Sequence, residues 1–128
     1  MAGALERAAA EVEELHRVPI EVVTVGDTPL DGELEALVQA AREAMTNAAK
    51  FAGSERVDLY AEVEAERVEV FVRDRGIGFD PESIPQDRRG VRDSIIARME
   101  RHGGRAAVRS SPGEGTEVEL AMGEETAA

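Results

Sequence analysis

The sequence predicts an α/β fold, specifically a two-layer α+β sandwich in which helices cover one face of a β-sheet. Segments with the helical spacing of apolar residues alternate with shorter segments in which apolar and polar residues alternate. Most of the strand-like segments come in closely spaced pairs, which is typical of hairpins. The predicted order is helix, strand, helix, two strands, loop, helix and two strands.

Two helices separated by one strand are predicted in the first half of the chain. Residues 4–16 place apolar side chains on one helical stripe that Pro19 ends, and residues 20–25 alternate as a strand. Asp31 is the expected N-cap of a second, longer helix, and Gly53 is its expected C-terminal stop. The expected buried side of this second helix consists of Leu34, Leu37, Val38, Ala41, Met45 and Ala48.

Two hairpins, a loop and a helix are predicted in the second half. Residues 57–64 and 67–74 form the first hairpin, because both runs alternate and only a short polar turn separates them. Residues 75–89 contain several glycine and proline breaks, so we expect a loop longer than a turn. The remaining expected elements are a helix at 94–102 stopped by Gly103 and Gly104, a hairpin of 105–110 and 116–122, and a disordered tail at 123–128.

Composition excludes several classes of protein. The chain has 128 residues, 42% of them hydrophobic, which suits one domain with a single core. Its formal net charge of −12 argues against nucleic acid as a partner, because phosphate backbones require a basic face. No apolar run approaches the ~18 residues of a membrane span, so we expect no direct membrane contact. The absence of cysteine excludes a disulfide framework and fits a reducing compartment.

Three polar residues of the second helix share one face. Glu43, Asn47 and Lys50 are spaced by four and three residues, so their side chains can address one ligand. The amide oxygen of Asn47 can join phosphate oxygens and waters around Mg²⁺. Glu43 can then act as a general base, and Lys50 can neutralise phosphate charge. The alternative is that all three decorate the solvated side of an amphipathic helix, and the spacing alone favours that alternative.

A carboxylate and two glycines mark the end of the strand at 67–74. The carboxylate of Asp74 can accept a hydrogen bond from the exocyclic amine of adenine, which would select ATP over GTP. Gly76 and Gly78 permit positive φ and a close approach of the backbone to a nucleotide. An ordinary strand-to-loop turn is the alternative. The glycine spacing supports neither a dinucleotide fold nor a Walker P-loop.

Two further positions complete the candidate pocket. Gly90 is expected to close the loop directly before the third helix, where free N–H groups can bind phosphate. A plain junction between loop and helix is the alternative. Thr116, at the start of the final strand, offers a hydroxyl that can reach a water near the adenine.

In combination, these motifs resemble those of a known family. The series E-x-x-x-N-x-x-K, D-x-G-x-G-F, a glycine before a helix and G-E-G-T is similar to the ATP-binding domains of the GHKL superfamily, which includes DNA gyrase and sensor histidine kinases. Residues 42–52 and 99–116 are most similar to the sensor histidine kinases of bacterial two-component systems. The resemblance covers roughly residues 20–121.

The resemblance implies a Bergerat fold with a mixed, mostly antiparallel sheet and an ATP lid loop. It also implies ATP and Mg²⁺ as cofactors. The implied roles are Mg²⁺ ligand for Asn47, catalytic base or polariser of the acceptor histidine for Glu43, phosphate contact for Lys50, adenine recognition for Asp74, pocket wall for Gly76 and Gly78, and second glycine box for Gly90. Implied partners are ATP or ADP, a histidine-bearing dimerisation domain of the same parent protein, and a response regulator.

The same resemblance suggests a division of the chain. Residues 1–17 would be the remnant of a linker or dimerisation helix, and residues 18–122 the ATP-binding domain. No hairpin that could carry a phosphoacceptor fits around His16, which is better explained as a histidine at a helix end. The parent is expected to be a homodimer anchored in a membrane, with this domain in the cytoplasm.

Two departures from the family pattern keep other functions open. Phe51 stands where the family usually has histidine, and Gly90 stands alone where the second glycine box usually has two glycines. One alternative is a stand-alone serine kinase of the anti-sigma-factor type, which has the same pocket. Another is a non-catalytic module that binds nucleotide, or nothing, as a docking scaffold.

Overall fold

A computed structural model describes residues 1–51, 56–78 and 86–123 of the chain. The elements within these ranges are α1 (Ala2–His16), β1 (Ile20–Gly26), α2 (Gly32–Phe51), β2 (Val57–Val63), β3 (Arg67–Asp74), α3 (Gln86–Arg101), β4 (Arg105–Ser111) and β5 (Gly115–Gly123). Their order confirms the prediction. Two expected features, the helix stop at Gly53 and most of the tail at 123–128, lie outside the described residues.

The five strands form one sheet in the order β1-β2-β3-β5-β4. The strands β1 and β2 are parallel, because the chain crosses back along α2 between them. The other three pairs are antiparallel, and both predicted hairpins are present. The predicted mixed, mostly antiparallel sheet is therefore confirmed.

All three helices pack on one face of this sheet. Side chains of a strand alternate between its two faces, and in β2 and β3 every second residue is buried. The helices supply the other half of the core, with α2 packed on β2, β3 and β5, α1 on β1, and α3 on β4. The opposite face of the sheet carries charged residues and one aromatic pair, Tyr60 and Phe71. Within the described ranges, no helix combines the length and the apolar composition that crossing a membrane requires.

Helix α2 begins and packs as predicted. The carboxylate of Asp31 accepts a hydrogen bond from the N–H of Leu34 at 2.8 Å, so Asp31 is the N-cap. The stripe that was expected to face the core is buried at every position, namely Leu34, Leu37, Val38, Ala41, Met45 and Ala48. This packing fixes the rotation of the helix about its axis and turns its polar side away from the sheet.

Helix α3 ends where predicted but begins earlier. At its C-terminus, the N–H of Gly104 bonds to the carbonyl of Met99 while Gly103 has a φ of 79°, which is the Schellman arrangement. The start at Gln86 corrects the sequence prediction, which placed the helix at 94–102 and a loop over 75–89. The charged residues before Ser94 tolerate a helix, and one interior glycine costs only about 1 kcal/mol.

The N-terminus of α1 is capped from the end of β1. The carboxylate of Asp27 accepts hydrogen bonds from the backbone N–H of Ala2, from the amino group of Met1 and from the N–H of Thr28. The Ala2 bond makes the largest contribution, and together with the other two it lowers the pKa of Asp27 from 3.8 to about 2. At its other end α1 stops with His16, as expected, and Arg17 takes the left-handed conformation.

Because the pKa of Asp27 is lower in the folded state, its contribution to stability is present above about pH 4 and is lost as the pH falls towards 2. We therefore expect the free energy of unfolding of the wild-type chain to fall more steeply between these pH values than that of Asp27→Asn. Urea denaturation at a series of pH values measures both slopes. Equal slopes would contradict the proposed cap.

Candidate functional site

Three polar residues lie side by side on adjacent strands at one end of the sheet, and two of them, Asp74 and Thr116, are predicted site residues. In the antiparallel register, Asp74 of β3 lies opposite Thr116 of β5, and Thr116 lies opposite Ser110 of β4. Directly opposed residues point to the same face, which here is the face covered by the helices. The hydroxyls of Ser110 and Thr116 are 2.9 Å apart. Asp74 and Thr116, far apart in the sequence, are thus neighbours across the sheet.

Asp74 is the one buried charged or polar residue among those the structure describes, with 5% of its surface exposed. It continues the apolar series Val68, Val70 and Val72 on the inner side of β3. Its Oδ1 accepts a hydrogen bond from the N–H of Gly76 at 2.9 Å. A carboxylate in such an apolar position is costly unless it is hydrogen-bonded, and the bond from Gly76 supplies one of the partners that its burial requires.

Glycines let the segment after β3 lie against the β4–β5 turn. Gly78 has a φ of 63°, and a Cβ there would come within 2.1 Å of the carbonyl oxygen of Ser111. The carbonyl of Ile77 accepts a hydrogen bond from Gly113 at 2.7 Å. Gly115, with a φ of 83°, faces the carbonyl of Asp74 in the same way, at 2.2 Å for an added Cβ. Gly115 was missing from the predicted site, because only the strand register shows that it approaches Asp74.

A cavity opens at this end of the sheet. It has a volume of about 180 Å³, and its lining includes Asp74, Ser110, Gly115 and Thr116. A larger cavity of about 540 Å³ lies between α1 and β1 and contains none of the predicted site residues. The chemistry of the lining, rather than the volume, therefore identifies the smaller cavity as part of the candidate site.

The amide of Asn47 fits a metal ligand. Its Oδ1 is buried and has no hydrogen-bond partner among the described residues. A buried carbonyl oxygen without a donor is unfavourable, so a cation or a bound water is the expected partner. No group of three or more His, Cys, Asp or Glu residues in the described part of the chain could hold a metal by itself.

Glu43 and Lys50 lie on the same side of α2 as Asn47, as their spacing predicted. Glu43 is partly buried against α3, where its Oε2 lies 3.5 Å from the hydroxyl of Ser94 and 3.8 Å from Nη2 of Arg98. Lys50 is exposed in the last turn of α2. Ser94 and Arg98 were not among the predicted site residues. The sequence shows that they are four residues apart and so share one side of a helix. It does not show that this side packs against α2, because that contact depends on the tertiary structure.

The expected position of Gly90 is wrong. It was placed directly before α3, but it is the fifth residue of that helix and is exposed, with no atom within 4 Å of a Cβ built on it. Its N–H is therefore not among the first N–H groups of the helix, which are the ones left without an intrahelical acceptor. The segment before the helix, including 79–85, and the side chain of Phe51 lie outside the described residues.

Comparison with known proteins identifies a family. The model of the family described as histidine kinase-, DNA gyrase B- and HSP90-like ATPases matches residues 32–126, most of the chain. No curated protein is significantly similar to the chain.

Several solved structures share the fold. The ATP-binding domain of PrrB from Mycobacterium tuberculosis is 25% identical, with a TM-score of 0.67 over 98% of this chain and 94% of that one. The mycobacterial sensor histidine kinase MprB is 20% identical, with a TM-score of 0.68 over 94% and 92%. The histidine kinase domain of the Erythrobacter litoralis EL346 blue-light activated histidine kinase is 18% identical, with a TM-score of 0.74 over 95% of this chain and only 60% of that one.

The close approach at Gly78 can be tested with a matched pair of glycines. Gly78→Ala places a methyl group against a backbone carbonyl, so we expect it to lower the free energy of unfolding by about 2 kcal/mol or more. Gly113→Ala is the control, because Gly113 has a φ of 79° but open space around it, and it should lose only about 1 kcal/mol. Urea denaturation measures both. Equal losses would show that backbone conformation alone requires glycine at Gly78.

Proposed function

Because the chain belongs to the family of histidine kinase-, DNA gyrase B- and HSP90-like ATPases, we propose that it binds Mg-ATP as the catalytic domain of a sensor histidine kinase. The buried carboxylate of Asp74 carries this proposal. It stands where the core ends, at a cavity whose lining includes Ser110, Gly115 and Thr116, and it was expected there from the D-x-G-x-G-F motif. The fold shared with the ATP-binding domain of PrrB supports the same ligand.

At the proposed adenine end of the site, the carboxylate of Asp74 would distinguish adenine from guanine. An ionised carboxylate only accepts hydrogen bonds, so Asp74 favours a base that presents an amine and disfavours one that presents a carbonyl. Adenine has an exocyclic amine where guanine has a carbonyl. Burial strengthens this preference, because a carbonyl facing a buried carboxylate places two acceptors against each other with no donor between them and no water to separate them.

The proposed phosphate end lies along α2. Asn47 would hold Mg²⁺ through its buried Oδ1, and the ion would neutralise charge on the phosphates. Lys50, one turn further, would place an ammonium group beside the same phosphates. Glu43, one turn earlier, would accept the proton of the attacking nucleophile or polarise it. In this proposal, the adenine is held by the sheet and the reacting phosphate by the helix.

The acceptor of the phosphoryl group would be a histidine on a dimerisation domain of the same parent protein, and a response regulator would receive the group next. The parent would be a homodimer, anchored in a membrane, with this domain in the cytoplasm. Alone, the domain would bind nucleotide and hydrolyse it slowly, because positioning of the acceptor supplies much of the catalysis in phosphoryl transfer.

A second candidate is a self-contained serine kinase of the anti-sigma-factor type. The packing of α1 favours it: Leu5, Ala8, Ala9 and Val12 are buried, so residues 2–16 form part of the domain core rather than a free linker. The chemistry of the product separates the two candidates. After transfer from labelled ATP to a candidate partner, a label lost in acid indicates phosphohistidine, whereas an acid-stable label indicates phosphoserine.

Nucleotide binding can be tested by calorimetry with Mg-ATP. We expect Asp74→Asn to weaken binding by about 10- to 100-fold, because one hydrogen bond to a charged group contributes about 1.5–3 kcal/mol. Asn47→Ala should remove most of the dependence of affinity on Mg²⁺. Asp58→Asn is the control, since Asp58 lies on the opposite face of the sheet in an ion pair with Arg56. Absence of binding by the wild type would leave the non-catalytic module as the better account.

A further inference from the structure

The carboxylate of Glu43 is held from α3 through one of its two oxygens. Both the Ser94 hydroxyl, at 3.5 Å, and Nη2 of Arg98, at 3.8 Å, approach Oε2. Within the described residues, Oε1 has no such contact. Both polar groups of α3 therefore face Oε2, and neither faces Oε1.

Arg98 has unused capacity to bind this carboxylate. Its Nε is buried and has no hydrogen-bond partner among the described residues. In a guanidinium group, Nε and Nη2 point from the same edge, and that edge matches the two oxygens of a carboxylate or one oxygen shared by two donors. The group that lacks an acceptor thus lies on the same edge as the group that contacts Glu43.

We propose that Arg98, assisted by Ser94, is a positioning residue that fixes the orientation of the Glu43 carboxylate at the interface of α2 and α3. The inference rests on the proposed function, in which Glu43 receives or polarises a proton. A general base is effective only when its accepting oxygen is held within hydrogen-bonding reach of the proton. Arg98 acts through Glu43 and does not itself contact the substrate.

A second ion pair on α2 provides a matched comparison. Arg42, next to Glu43 in sequence, pairs with Glu11 of α1, so it also joins α2 to a neighbouring helix. The Glu11 side chain is 56% exposed, whereas the Glu43 side chain is 28% exposed. Exposed pairs are screened by water and hold their partners weakly. Loss of Arg42 should therefore leave the site unchanged.

The first arm of the test is spectroscopic and needs no turnover. In ¹⁵N spectra, the Nε–H signal of Arg98, assigned by its loss in Arg98→Lys, should shift in Glu43→Gln and should not shift in Glu11→Gln. If the chemical shift of the Arg98 Nε–H signal is the same in Glu43→Gln as in the wild type, the proposal is overturned. Because this arm uses the free protein, it can fail while nucleotide binding succeeds, and it can succeed if the chain binds no nucleotide.

The second arm measures hydrolysis of γ-labelled Mg-ATP under single-turnover conditions, together with its Kd. We expect Arg98→Gln to slow hydrolysis about tenfold or more at an unchanged Kd, because misplacing a catalytic group by about 1 Å costs up to 10²-fold. Arg98→Lys should recover part of the rate, and Arg42→Gln should match the wild type. In the Glu43→Gln background, Arg98→Gln should cause no further loss. Independent, multiplying losses would instead assign Arg98 a merely structural role.

Discussion

The packing of one side of α2 against the sheet is the interaction on which the rest of this domain depends. This helix of twenty residues buries its apolar side and keeps its polar side accessible. In α2, the buried stripe from Leu34 to Ala48 contacts the sheet, and it sets the rotation at which Glu43 and Asn47 emerge. The N-cap at Asp31 sets the axial position at which the helix starts. A residue on α2 is therefore located by core packing, so the precision of the candidate site derives from the hydrophobic core.

An acidic protein that binds a polyanion needs local charge compensation. The chain carries a net charge of −12, and its long-range field repels phosphates. Within a few ångströms, however, the nearest charged groups determine the electrostatic energy of a phosphate, because the field of distant charges is screened by salt. In the proposed site, Lys50 would supply one cation, and the amide of Asn47 would bind Mg²⁺ as a second without adding negative charge. A neutral amide as the metal-binding side chain at position 47 would therefore avoid adding to the negative charge of an already acidic chain.

Local patterns in the sequence were enough to predict the order of the elements, whereas the residues of the candidate site were singled out by the order of their motifs and the resemblance to a family. The cap at Asp31 was predictable because its chemistry depends on neighbours three residues away. The position of Gly90 was wrongly predicted, because a glycine often marks the end of a helix or a loop. In this protein Gly90 lies inside α3, at an exposed position that tolerates a glycine. Gly115 and Arg98 were missed for a different reason. Their contacts, with Asp74 and Glu43, depend on strand register and helix packing, which no local pattern encodes.

The strand order has a consequence for synthesis of the chain. Although β5 follows β4 in sequence, it lies between β3 and β4, and it contributes Val118, Leu120 and Met122 to the core. Until β5 leaves the ribosome, β3 has an exposed edge and β4 has no strand to pair with, so the nascent chain holds an incomplete sheet. That open edge is a template for pairing with other chains, so a premature stop codon before residue 115 should yield an aggregating fragment rather than a smaller domain.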